Sequence, residues 1–317
     1  MNKKGKAVLL TGAALSASYL AIGEALFSIF MTRPGITFTS KHFKPVDEEG
    51  FKLMNQNQEI KDGDEWYNAT ENELVKTETR SSRPCHGYFF KTNPDSHKYV
   101  ICCHGYSSEP SFMGSYGKRF SDMGFNILFP VFCGHFDSET NIVTMGWKDR
   151  LIVTAFVDYI VSEDPEAQIV LHGVSMGGAT VMMATGERMP ENVKCCVEDC
   201  GYTNAWDVFC VQVREYLGLS VFPFITAANT VCRLQAKFGF KECSALEQVK
   251  KSNTPTLFIH GNRDTFVPFW MLHPLFENAV CEKQKLIVDG ALHACSAYIN
   301  PDLYWKTIAE FIAKYVK

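Results

Sequence analysis

The sequence has no Cys-x-x-Cys pair and no cluster of cysteine and histidine at zinc-ligand spacing, although twelve cysteines occur among its 317 residues. It therefore predicts no structural metal. It also has no basic block beyond the short start Lys3, Lys4, Lys6: 31 basic side chains are spread among 35 acidic ones, for a net charge of −4. Nucleic acid needs a concentrated basic face, so no nucleic-acid partner is expected. Internal repeats and low-complexity tracts are missing as well. The neighbouring cysteines Cys102-Cys103 and Cys195-Cys196 sit inside apolar runs. Adjacent residues of a strand face opposite sides, so these read as small buried hydrophobes in a reducing or anoxic setting rather than as a disulfide framework.

What is present, 46% hydrophobic and 21% charged residues, suits one catalytic-size globular domain with one appendage. Residues 7–31 are mostly apolar, and about 20 such residues span a bilayer as a helix. Three readings compete for residues 1–33: a membrane anchor, a cleaved signal peptide, and a helix that packs on the domain or lies on the membrane surface. Glu24 is the main objection to a span, because an ionisable side chain in hydrocarbon costs a few kcal/mol. If the segment spans, the three lysines stay in the cytoplasm and the catalytic domain lies on the outer face. The unpaired cysteines argue mildly the other way, so secreted and cytoplasmic locations stay open. Residues 34–84 are a polar, irregular amino-terminal extension, and residues 85–317 form the main domain.

In that domain, apolar runs of strand length at residues 87–90, 99–103, 125–129, 168–172, 193–197, 256–259 and 285–288 alternate with helix-like stretches. Near-continuous apolar strands separated by helices predict an α/β fold: a mostly parallel central sheet with helices on both faces. Residues 203–246 break the alternation and are too long for a simple connection, which predicts a small helical lid.

The sharpest chemical signal is Gly173-Val174-Ser175-Met176-Gly177-Gly178, directly after one apolar strand and directly before a helix-like run. This is the context in which G-x-S-x-G forms a nucleophile elbow, with glycines permitting the tight turn that exposes the serine Oγ. Outside that context the motif is only a glycine-rich turn. Asp264 follows the strand at 256–259, where a carboxylate can hold a histidine's Nδ1–H. Read blandly it is a turn aspartate capping the next helix, and the rival acid is Asp199 beside Glu198. His293, after the strand at 285–288, completes the chain order Ser, Asp, His. His42, His86, His97 and His273 read as surface or satisfied core residues. The oxyanion hole needs two backbone donors, for which Met176 and Tyr106 fit. His104 suits shaping that loop, and His135, Trp147 and Asp149 read as structural.

These residues resemble the α/β-hydrolase superfamily, and within it a group of bacterial membrane-anchored hydrolases related to the serine aminopeptidase-like and prolyl-oligopeptidase-like branches. The resemblance spans about residue 85 to the end. Its signatures are Met145-Gly146-Trp147, the run from His172 to Gly178, the run from Glu198 to Thr203, and the run from His260 to Pro268. It implies a triad of Ser175, Asp264 and His293. Relatives often carry an arginine before Gly-His where this chain has Cys133, which puts any local salt bridge in doubt.

The expected activity is a serine hydrolase, specifically a carboxylesterase acting through an acyl-enzyme on Ser175, with no metal or organic cofactor. A serine peptidase or acyltransferase would use the same triad, and a hydrolase-like binding protein without turnover is the alternative from another class. Trp206, Phe209, Phe222, Phe224 and Phe240 favour a small acyl substrate with an apolar group.

Overall fold

A computed structural model describes residues 3–42, 48–215 and 217–317. Eight strands form one sheet in the order β1-β2-β4-β3-β5-β6-β7-β8. They are β1 (Glu73–Glu78), β2 (Pro84–Phe90), β3 (Lys98–Cys103), β4 (Asn126–Pro130), β5 (Gln168–Val174), β6 (Val193–Asp199), β7 (Thr256–Gly261) and β8 (Lys283–Val288). β1 and β2 are antiparallel to their neighbours at one edge, and β4, β3, β5, β6, β7 and β8 run parallel.

The parallel strands alternate between two cores. Ile101, Cys103, Ile169, Leu171 and Cys196 enter one, while Val100, Cys102, Val170, Cys195 and Val197 enter the other. Each cysteine pair is thus split across the sheet, as the two-residue period requires, and all twelve cysteines are free.

Thirteen helices of α type are described: α1 (Lys3–Phe30), α2 (Arg33–His42), α3 (Glu48–Gln56), α4 (Gln58–Ala69), α5 (Gly114–Asp122), α6 (Asp149–Glu163), α7 (Met176–Thr185), α8 (Ala205–Glu215), α9 (Val221–Gln235), α10 (Ala245–Val249), α11 (Leu272–Asn278), α12 (Ser296–Ile299) and α13 (Pro301–Ile312). α6 buries Ile152, Val153, Phe156, Val157 and Ile160 in the first core, and α13 buries Tyr304, Ile308 and Phe311 in the second. Both faces of the sheet are therefore covered.

The polar extension is more regular than its composition suggests, since α2, α3, α4 and β1 all fall within residues 33–78. β1 is an edge strand with Val75 as its one buried side chain, so it lacks an apolar run. The buried residue of α4 is Gly63, whose backbone meets Gly114 and Ser115 at the start of α5. The side chains of Lys3, Lys4, Lys6 and His42 lie outside the described residues.

Within α1, Ala13–Phe30 is long and apolar enough to cross a membrane. Its second half also packs on the main domain. Gly23 lies against the Ala227 backbone of α9, the Tyr19 and Thr230 hydroxyls are 3.4 Å apart, and Gln235 donates a 2.6 Å bond to Glu24. Glu24 therefore has a polar partner on the domain. α8 and α9 occupy the stretch 203–246.

Candidate active site

β5 ends directly at Ser175, which caps α7 with φ 58° and ψ −118°. A positive φ on a non-glycine residue is strained, and here the turn points the serine away from the sheet. The glycines make the turn possible: a Cβ at Gly173 would overlap the Gly177 carbonyl, and one at Gly177 would overlap the Cys103 carbonyl.

His293 lies in the loop after β8. Its Nε2 is 2.8 Å from Ser175 Oγ and its Nδ1 is 2.7 Å from Asp264 Oδ2. A carboxylate only accepts, so Nδ1 carries the proton and Nε2 is free to accept from the serine hydroxyl. The Phe266 ring packs on the imidazole, with centroids 4.9 Å apart.

Asp264 is buried in the loop after β7, and its Oδ1 accepts from the backbone N–H groups of Phe266 and Val267, each at 2.9 Å. Its Oδ2 also lies 3.3 Å from His260 Nε2. That nitrogen is 2.9 Å from the Val267 carbonyl and so must carry a proton. Burial alone would raise the Asp264 pKa, but the charge of His293 and the hydrogen bonds from both histidines overrule it and hold the group at about 2. His260 is the residue that motif reading missed. It stands four positions before Asp264, at the end of β7, and touches the same carboxylate oxygen as His293.

Asp199, the rival acid, ends the neighbouring strand and turns its Oδ1 to the Ser296 hydroxyl at 3.1 Å. Burial pushes its carboxyl up to about 6, against the opposing pull of His260, Ser296, Tyr304 and His293. Burial likewise holds Glu198 well above the usual carboxylate range, against a bond from the Gly201 N–H.

The two residues expected to supply oxyanion donors flank Ser175. Met176 opens α7, where backbone N–H groups have no intrahelical acceptor. Tyr106 follows Gly105, at which a Cβ would lie 3.5 Å from Ser175 Cβ and 4.0 Å from its Oγ. His104 shapes this loop: its Nδ1 donates to the Gly105 carbonyl at 2.9 Å, and its Nε2 accepts from the Phe132 N–H at 3.3 Å. Burial, aided by nearby His135, lowers its pKa to about 3 and keeps it neutral.

His135 accepts from the Ser107 N–H at 3.1 Å. Asp149 accepts from the N–H groups of Cys133 and Gly146 and from the Thr144 hydroxyl, while the Arg150 guanidinium stacks on Trp147. The Cys133 backbone thus reaches Asp149. His86 and His97 are paired with Asp137 and Glu139 and with Asp164, respectively, and His273 meets the Phe269 ring.

Cys200, Asp264 and His293 offer ligand atoms within 4.8 Å of one another. An ion there would compete with the bonds that His293 makes to Asp264 and Ser175. Burial also holds the Cys200 thiol well above its ordinary range, which disfavours the thiolate that binds metals.

Comparison with known proteins agrees with this architecture. Residues 152–289 match the prolyl oligopeptidase family. The Pyrococcus furiosus esterase Pf2001 superposes with a TM-score of 0.63 at 22% identity, over 82% of this chain and 97% of that one. The Pyrococcus horikoshii acylaminoacyl peptidase superposes with a TM-score of 0.57 at 15% identity, over 79% of this chain but 43% of the peptidase. In sequence, the uncharacterized protein YqkD of Bacillus subtilis (strain 168) is 24% identical over 219 residues, 69% of this chain and 72% of YqkD. The fold is the α/β-hydrolase fold, and the class it defines together with the family match is a hydrolase of the serine type.

Proposed function

We propose that the protein cleaves an ester or related acyl bond through an acyl-enzyme on Ser175, as a carboxylesterase. The observation that carries this reading is the unbroken relay from Ser175 Oγ to His293 Nε2 at 2.8 Å and from His293 Nδ1 to Asp264 at 2.7 Å. In the first half-reaction the serine oxygen bonds to the acyl carbon and its proton passes to His293. The N–H groups of Tyr106 and Met176 hold the oxyanion, and the bond to the leaving alcohol then breaks as His293 returns the proton. Water repeats the sequence to release the acid. Asp264 keeps the imidazole in the right tautomer and stabilises its cationic form. These steps call on no metal or organic cofactor.

The match to the prolyl oligopeptidase family favours a second reading, a serine peptidase on the same triad. An acyltransferase would differ only in its acceptor. The stretch 203–246 acts as the lid, and residues 1–33 tether the enzyme to a membrane with the catalytic domain outside.

Labelling by a fluorophosphonate probe tests the nucleophile, and we expect it in the wild type and not in Ser175→Ala. A panel of p-nitrophenyl esters and aminoacyl amides then separates the readings. Amide turnover exceeding ester turnover would replace the esterase by the peptidase, and a well-folded chain that neither labels nor turns over would overturn both.

A further inference from the structure

The turn that holds the catalytic acid is itself held by a helix far away in sequence. Asp264 Oδ1 accepts from the Phe266 and Val267 N–H groups, each at 2.9 Å. The Phe266 carbonyl in turn accepts from the side-chain amide of Gln212, on α8, at 2.5 Å. A carbonyl only accepts, so the Nε2 end of that amide is the end that faces it.

Two of these contacts meet on one peptide group. The Phe266 carbonyl and the Val267 N–H are the two ends of a single planar trans unit and point in opposite directions. A rotation of that plane away from Gln212 also turns the Val267 N–H off Asp264. Gln212, the peptide and Asp264 therefore form a line of two hydrogen bonds in which each polarises the other. His260 works differently. The Val267 carbonyl that it meets belongs to the bond to Pro268, which has no N–H, so His260 reaches Asp264 by its own 3.3 Å contact. The same turn also touches the base, because the Phe266 ring packs on the His293 imidazole at an angle of 43°.

Helical spacing brings Gln212 to this place. Ala205 and Val208 are buried on α8, and position 212 follows them at i+7 and i+4 on the same stripe. The start of the helix is fixed: the Ala205 N–H donates to the Cys243 carbonyl at 2.9 Å, and Asp207 accepts from the Thr203 hydroxyl and the Asn204 amide. Gln212 stands about 10 Å further along. It is partly buried, where an amide needs a partner.

We propose that Gln212 is a positioning residue for the triad: through the Phe266–Val267 peptide it orients the donor that keeps Asp264 facing His293. The stretch 203–246 then does more than cover the site, because the seating of α8 on the acid loop completes the triad. A helix that swings away takes the Gln212 donor with it. This inference rests on the serine mechanism proposed above.

The test uses the full chain in detergent, p-nitrophenyl acetate and the fluorophosphonate probe. Gln212→Met keeps the side-chain length and the helix propensity but removes the donor. Gln212→His changes the volume but keeps an N–H at about the same reach. We expect kcat to fall about fivefold in Gln212→Met, the effect of one neutral hydrogen bond, with KM within twofold of wild type. Its acidic limb should move to higher pH, because Asp264 with a weaker donor holds the His293 cation more tightly. The titratable groups near His293, which are Asp264, Asp199 and Cys200, are the same in every variant. Gln212→His should keep most of kcat. Equal losses in the two variants, a kcat within twofold of wild type in Gln212→Met, or an unmoved limb there, with Ser175-dependent labelling intact, overturns the positioning role alone. Absence of Ser175-dependent labelling in the wild type overturns it together with the serine mechanism.

Discussion

Two buried carboxylates on adjacent strands show how the site chooses its acid. Asp199 closes β6 and Asp264 follows β7, and both side chains are removed from solvent. Asp264 is met by two backbone N–H groups and two histidines, and stays ionised down to about 2. Asp199 meets the Ser296 hydroxyl, and its burial keeps the proton on until about 6. Equal burial with unequal donors puts the pKa values about four units apart. Directed hydrogen bonds, more than position along the sheet, make one of them a fixed negative charge facing His293.

The strongest way to break this comparison is Asp264→Asn. The amide offers His293 the wrong partner for Nδ1–H, and loss of the equivalent charge elsewhere costs kcat about 10⁴-fold. We expect a loss of that order with KM little changed, measured on p-nitrophenyl acetate. A loss below tenfold would mean that Asp199 takes over the role, against the geometry that turns it to Ser296.

Much of this was legible before any coordinates. The seven apolar runs became β2 to β8, most of them buried on both faces while the edge strand β8 buries only Leu286 and Val288, and the three residues that the structure brings together, Ser175, Asp264 and His293, each stand after a strand end. Asp199 shares that placement, so position alone left two acids open, and only the side-chain donors separate them. His260 was visible as the start of a signature, but its contact with Asp264 depends on how the turn after β7 folds back. The amphipathic run around Asn72 to Thr77 left strand and helix open for β1, because an edge strand needs few apolar residues, and α4 escaped because its closest approach to the domain is made by a glycine. The bond from Tyr106 to Phe30 joins residues 76 positions apart, and no local pattern announces such a contact.

A finer probe of the same comparison removes one donor from Asp264. His260→Phe deletes the N–H shared between Oδ2 and the Val267 carbonyl. A hydrogen bond to a charged group contributes about 1.5–3 kcal/mol, and the 3.3 Å separation argues for the lower end, or about a tenfold loss in kcat/KM. With less competition for its charge, Asp264 would hold the His293 cation more tightly, so the acidic limb of the pH profile should move to higher pH. His260→Gln presents an amide N–H in place of Nε2 and should restore most of the activity and the limb. Equal losses in both variants with an unmoved limb would make His260 a packing residue only.

The smallest effect on catalysis, and the one that reads Asp199 directly, is on stability. The ordinary carboxyl releases its proton near 3.8, whereas folded Asp199 keeps it until about 6. Between those values the folded chain binds more protons than the unfolded chain, so this group makes stability fall as pH rises. Asp199→Asn cannot titrate. It should match the wild type near pH 4 and exceed it above pH 7, by about 3 kcal/mol if the full shift is expressed. Urea unfolding of both proteins at the two pH values measures this, and the histidines that stay neutral through burial cancel in the difference. Parallel stability curves would show that folding leaves the Asp199 carboxyl near its ordinary range, and the contrast with Asp264 would then rest on geometry alone.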